Sequence, residues 1–173
     1  MEGSRMNHGG VSRRAILKGG AAAALALSGS RLALGAASGQ KIRLGMIGCG
    51  GRGTWIGQLF LAHGGYEIAA AADYFPAQAK AFGEKFGVAE NRRFSSLSGY
   101  KALLELGDLD AVAIESPPYF HPEQACAAVD AGKHVYLEKP IALTMDDAQR
   151  IHQTWKAGNV QVCVGFECRF SQQ

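Results

Sequence analysis

From Lys41 onward, short runs of almost wholly apolar residues alternate with longer stretches in which apolar residues recur every three or four positions. Runs such as IRLGMI and EIAAAA read as strands buried on both faces, and stretches such as TWIGQLFLAH read as helices with one apolar face. The pattern predicts strands over 41–47, 66–72, 92–94, 110–115, 134–137 and 160–166, and helices over 54–63, 76–86, 98–106, 122–131 and 145–157. Regular alternation of this kind implies βα units and a mostly parallel sheet, so the fold class is α/β. Several helix ends carry their own signals. Pro76 suits a first helical turn, Thr144 with Asp147 has the form of a capping box, and Gly132 and Gly158 stand where glycine stops belong. Pro117, Pro118 and Pro122 are expected to hold the end of the fourth main strand extended. No repeat, charge block or low-complexity stretch follows Gln40.

The first 40 residues do not share this pattern. The stretch SRRAILKGGAAAALALSG places basic residues ahead of an apolar run over 21–27, and the small residues of LALGAAS follow. This is the order of a cleavable signal peptide, and the run is too short to span a bilayer. Arg13 and Arg14, preceded by Ser12 and followed by Ile16, Leu17 and Lys18, resemble a twin-arginine signal. That resemblance implies passage of the folded protein through the twin-arginine export machinery, with 1–39 as leader and a periplasmic or otherwise exported destination.

Composition narrows the remaining choices. A chain of 173 residues can build one good-sized core but is short for a complete two-domain enzyme. The net charge of +3 would suggest an acidic partner, yet residues 1–40 hold five of the 18 basic residues and one of the 15 acidic ones. The remainder is close to neutral, which argues against nucleic-acid binding. Cys49, Cys126, Cys163 and Cys168 form no C-x-x-C pair, and the odd spacing of the last two would put them on opposite faces of a strand. They read as buried or half-buried thiols, with a disulfide or a metal site as the alternatives.

The stretch IRLGMIGCGGRGTW supplies candidate chemistry. Gly48, Gly50 and Gly53 have the G-x-G-x-x-G spacing between a predicted strand and a predicted helix. In that setting the first glycine allows a tight turn, the second lets the backbone approach a pyrophosphate, and the third lets the helix pack against its strand. Asp73, at the end of EIAAAAD, stands where a carboxylate can accept hydrogen bonds from a ribose diol. Together these predict a Rossmann-type doubly wound parallel sheet over 41–166 that binds NAD(P). The candidate cofactor contacts are Gly48, Cys49, Gly50, Gly51, Arg52, Gly53 and Asp73. Asp73 would repel a ribose 2′-phosphate and so favours NAD, while Arg52 in the loop pulls towards NADP, so both cofactors stay open.

The stretch ESPPYFHPEQACAAVDAGKHVYLEKPIALTMDDAQRI places Glu138, Lys139 and Pro140 at the carboxyl end of the fifth strand, the edge where open α/β sheets bind ligands. Pro140 biases Lys139 away from helical geometry. The glycine loop, AGKHVYLEKPIALT and VGFECRF together resemble the Gfo/Idh/MocA oxidoreductases. The resemblance implies that Lys139 reaches the nicotinamide and the substrate hydroxyl as the catalytic residue, and that Glu138, Ser116, Pro117 and His121 lie along the cofactor. His121 has a second reading, as a cap for the following helix. Tyr119, Phe120 and Tyr136 read as packing residues. An ammonium beside a carbinol oxygen stabilises the developing alkoxide and can relay its proton as hydride leaves.

In that family a second domain, with the sugar pocket and the oligomer interface, follows the Rossmann domain. Residues 167–173 would be its start, so the chain is expected to be part of a longer enzyme that forms a homo-oligomer when full length. The resemblance implies hydride transfer between a nicotinamide and a sugar or polyol. Export away from any soluble pool implies that the nicotinamide is tightly bound. The alternatives are an NAD-dependent glycoside hydrolase and a non-catalytic nucleotide-binding domain.

Overall fold

The computed structural model describes residues 39–166, so the predicted leader 1–39, but for its last residue, and the stretch 167–173 with Cys168 lie outside the described residues. Six strands form one sheet: β1 (Ile42–Ile47), β2 (Tyr66–Asp73), β3 (Arg93–Ser95), β4 (Ala111–Ile114), β5 (His134–Glu138) and β6 (Val162–Gly165). All pairings are parallel, in the order β3-β2-β1-β4-β5-β6. The chain starts in the middle, winds outward through β3, then returns to β4 and winds the other way. This is the doubly wound arrangement, and the order reverses between β1 and β4.

The helices are α1 (Gly51–His63), α2 (Pro76–Phe86), α3 (Gly99–Leu104), α4 (His121–Asp130) and α5 (Met145–Ala157). Side chains alternate across the strands, and the two resulting sets meet different helices. Leu44, Met46, Ala111 and Ala113 pack with Ile56 of α1 and Phe82 of α2. On the other face, Ile47, Val112, Ile114, Val135 and Leu137 pack with Leu103 of α3, Ala125 and Val129 of α4, and Ile151 of α5. The alanines of β2 are all buried, and their small side chains let helices approach the sheet on both sides.

Element order follows the predicted pattern, with local differences that have physical causes. Helix α1 starts at Gly51 because the glycine loop itself turns into the helix. Residues Glu90–Arg92 form a 3₁₀ turn, so β3 begins one position later than predicted. Pro118–Phe120 is also a 3₁₀ turn. Only Pro117 keeps the extended geometry predicted for the proline-rich stretch. Thr144 caps α5 as predicted, its Oγ1 accepting from the Asp147 backbone N–H at 3.1 Å. Gly158, predicted as a left-handed stop, is extended, and its role is space: a Cβ there would sit 2.6 Å from Val129 Cγ1. Cys49 is buried and Cys126 half-buried, but Cys163 is exposed, because β6 lies at the sheet edge. Tyr119, predicted to pack, is also exposed.

Candidate functional site

The carboxyl ends of β1, β2, β4, β5 and β6 open onto one edge of the sheet, and the predicted site residues collect there. After β1 the backbone turns at Gly48 with φ of 95°. A Cβ at Gly48 would lie 2.6 Å from the backbone of Glu115, so glycine is required both for conformation and for the approach of β4. A Cβ on Gly53 would collide with the Gly48 carbonyl oxygen, which makes Gly53 the point where α1 crosses its own strand. Positions 50 and 51 are the opposite case. A Cβ on either would meet nothing within 4 Å, and Gly50 begins α1 with no side-chain cap and no acidic residue in the first turn. The loop is thus an open cradle below uncapped helix N–H groups, and this set of residues fits a pyrophosphate.

Asp73 belongs to the same assembly. Its Oδ2 accepts the Cys49 backbone N–H at 2.7 Å and its Oδ1 accepts the Phe75 backbone N–H at 2.9 Å. The carboxylate is therefore held from two sides, and each oxygen keeps acceptor capacity for ribose hydroxyls. The Cys49 side chain takes no part. Its Sγ lies against the Ala72 carbonyl at 3.5 Å, and burial pushes the thiol well above its usual range, leaving only the main chain facing the cradle.

On the other half of the sheet, β5 delivers Glu138, Lys139 and Pro140. Lys139 and Pro140 are exposed, with a cis peptide bond between them. His121 is 1% exposed and stands behind this turn. Its Nδ1 lies 2.8 Å from the Pro140 carbonyl oxygen and its Nε2 lies 2.8 Å from that of Ser116. One imidazole thus ties the turn after β5 to the segment after β4. A ring nitrogen faces each of these carbonyls, and the ring is closed off from the open edge. The Ser116 hydroxyl donates to Gln124 Oε1 of α4 at 2.5 Å, and Pro117 is exposed beside it.

Arg52 lies where the two halves meet. Its Nη2 donates to Glu138 Oε2 at 3.0 Å, its Nε is 3.8 Å from Glu115 Oε2, and its guanidinium lies 4.6 Å from the centre of the Trp55 ring. It therefore reaches towards β4 and β5, on the far side of β1 from Asp73. Glu115 is the site residue that sequence reasoning missed. Its side chain is fully buried and neither carboxylate oxygen has a hydrogen-bond partner among the described residues. Burial first, then the neighbouring Glu138 charge, push its carboxyl up to about 8 despite the opposing Arg52. A signal was present, since AVAIE ends an apolar strand on a charge one step past the residue that pairs with Leu137.

Residues 42–166 match the Gfo/Idh/MocA family, described as an oxidoreductase family with an NAD-binding Rossmann fold. Among curated relatives, a dTDP-3,4-didehydro-2,6-dideoxy-alpha-D-glucose 3-reductase from Saccharopolyspora spinosa is 38% identical over 85 residues, covering 49% of this chain and 24% of that one. A glycosyl hydrolase family 109 protein from Shewanella pealeana is 33% identical over 115 residues, covering 64% of this chain and 25% of that one. The crystal structure of the WlbA dehydrogenase from Bordetella pertussis, in complex with NADH and UDP-GlcNAcA, is similar with a TM-score of 0.66 and 32% identity, covering 75% of this chain and 36% of that one. The matched stretch spans about a quarter of the length of these curated relatives.

Proposed function

Because the chain belongs to the Gfo/Idh/MocA family of oxidoreductases, we propose that it is the nicotinamide-binding part of an exported enzyme that moves hydride between a tightly held NAD(P) and a sugar or polyol hydroxyl. The observation that carries this reading is the convergence on one edge of an open glycine cradle, a doubly anchored Asp73 and an exposed Lys139. The related reductase and the structure with NADH and UDP-GlcNAcA support a sugar-type substrate. When bound, the nicotinamide supplies the hydride acceptor or donor.

The chain's own residues supply the rest. The uncapped start of α1 binds the pyrophosphate, and Asp73 fixes the adenosine ribose. Lys139 hydrogen-bonds the substrate oxygen through Nζ, steadies the alkoxide left as the carbinol proton departs, and relays that proton to solvent while the carbon gives up its hydride and becomes a carbonyl. His121 holds the turn that carries Lys139 without touching the substrate. Asp73 favours NAD over NADP, since its carboxylate repels a 2′-phosphate and the Arg52 guanidinium is held at Glu138.

The twin-arginine leader adds a constraint. A protein exported folded can be loaded with nucleotide beforehand, and it then needs a reaction that regenerates the nucleotide in place. Reduction of a second substrate meets this need. A redox-neutral glycoside cleavage also does, and the glycosyl hydrolase relative favours it as the second reading. The test is to purify the protein from its native envelope and examine it for bound nicotinamide by fluorescence and for products. Retained nucleotide with an oxidised sugar is the expected result, and released aglycone without net redox change supports the second reading. Apo protein active only on added free NAD overturns tight retention.

A further inference from the structure

Glu115 and Glu138 are neighbours by construction. Ile114 pairs with Leu137 across the parallel β4–β5 ladder, so the next residues on each strand stand side by side. They fall on the sheet face that carries Ala113 and Tyr136, beneath the N-terminus of α1. Both carboxylates are at least nine-tenths buried, and three of their four oxygens have no hydrogen-bond partner among the described residues. The groups that face them are Arg52 from α1 and Tyr136 from β5, with Cys163 of β6 acting on Tyr136. The backbone of Gly165 in β6 closes the pocket so tightly that a Cβ there would sit 2.6 Å from the Tyr136 hydroxyl and 2.9 Å from Glu138 Oε2.

Among the described residues the two buried carboxylates share the Arg52 guanidinium, and a proton on Glu115 removes one of two neighbouring negative charges. Like charges side by side do not both ionise freely, and burial together with the Glu138 charge holds the proton on Glu115. The position of the pair is what gives this a consequence. A dinucleotide lies across the point where strand order reverses, with its two halves on opposite sides of it. Asp73 at the end of β2 marks the adenosine half, so the nicotinamide half falls over the ends of β4 and β5, where the pair lies.

We infer that Glu115, together with Glu138, is a specificity-determining residue for the oxidation state of the nucleotide: the ionised pair favours NAD⁺ and the protonated pair favours NADH. NAD⁺ carries a ring cation that NADH lacks, so one unit of charge differs between the two ligands on the side facing the acids. By linkage, a ligand that prefers the ionised pair expels its proton to solvent, and the preference grows as pH rises. This rests on the nicotinamide reading above.

The experiment measures Kd for NAD⁺ and for NADH separately, with the full-length chain at constant ionic strength and several pH values between 6 and 9. For the wild type the ratio Kd(NAD⁺)/Kd(NADH) should fall by about fivefold or more from pH 7 to 9, one proton being worth at most ~10-fold per pH unit. Glu115→Gln keeps the shape of the protonated acid and should hold the ratio flat at its low-pH value. A flat ratio in the wild type overturns the inference without any variant, and so does an unchanged slope in Glu115→Gln. Binding of neither nucleotide overturns the inference and the cofactor reading together, whereas binding of both with a flat ratio overturns the inference alone.

Discussion

The place of His121 in the fold was legible in the sequence and its contacts were not. Its neighbours in sequence place it near the edge where ligands bind, but only the fold shows its ring between the carbonyls of Pro140 and Ser116. Arg52 is a similar case: the loop sequence suggested a 2′-phosphate partner, whereas the side chain pairs with acids delivered by strands far along the chain. Local motifs fix backbone geometry well, and they say little about where a long side chain ends. Two predictions belong here. Lys139→Ala should lower kcat/KM by about 10³-fold, within the usual range for losing a proton-transfer group, while NADH affinity measured by fluorescence stays close to wild type. His121→Ala removes a buried ring that faces the carbonyls of Ser116 and Pro140 and should cost about 2–3 kcal/mol in urea denaturation. It should also depress kcat more than nucleotide affinity, because the turn it holds carries Lys139. Wild-type kcat in a folded His121→Ala protein would contradict that positioning role.

Element existence was largely readable and element edges less so. Apolar alternation located the six strands and five helices among the described residues, most clearly β1, β2, β4 and β5, which lie inside the sheet with helices on both faces. The edges shifted where a turn competes locally, as at Glu90–Arg92 and Pro118–Phe120, since 3₁₀ turns leave little periodic trace. The Thr144 half of the capping signal formed as read because it is local, while the Asp147 carboxylate accepts from the Thr144 hydroxyl, Oγ1 to Oδ2 2.8 Å, rather than closing the box on the backbone N–H. Thr144→Ala should therefore lower stability by about 1 kcal/mol, seen as a lower denaturation midpoint with an unchanged slope. At the start of α1, Gly53→Ala forces the new methyl against the Gly48 carbonyl and must displace the helix from its strand. A folded Gly53→Ala protein that binds nucleotide as well as wild type would show that the cradle does not depend on this contact.

For the whole molecule, the pairing of distant strands creates what no local stretch announces: a buried acid pair at the centre of the site. Its sign in stability is fixed by the raised carboxyl of Glu115, about 8 in the folded chain against 4.5 for the ordinary side chain. Between those values the folded state binds more protons than the unfolded one, so this group makes stability fall as pH rises through that window and adds no further slope above it. Comparing wild type with Glu115→Gln in urea at pH 5.5, 7 and 8.5 should show a difference that grows with pH in favour of the variant. A constant difference would mean that Glu115 is ionised throughout.

The central claim is that the edge built by Gly48–Gly53 and Asp73 holds a nicotinamide dinucleotide, and direct titration of the purified chain with NADH and with NADPH tests it. Saturable binding of NADH at least ~10-fold tighter than NADPH is expected, with the gap narrowed by Asp73→Ser because the like-charge repulsion of the 2′-phosphate is removed. A folded wild-type chain that binds neither nucleotide would show that this edge is not a dinucleotide site, and preference for NADPH would overturn the selectivity given to Asp73.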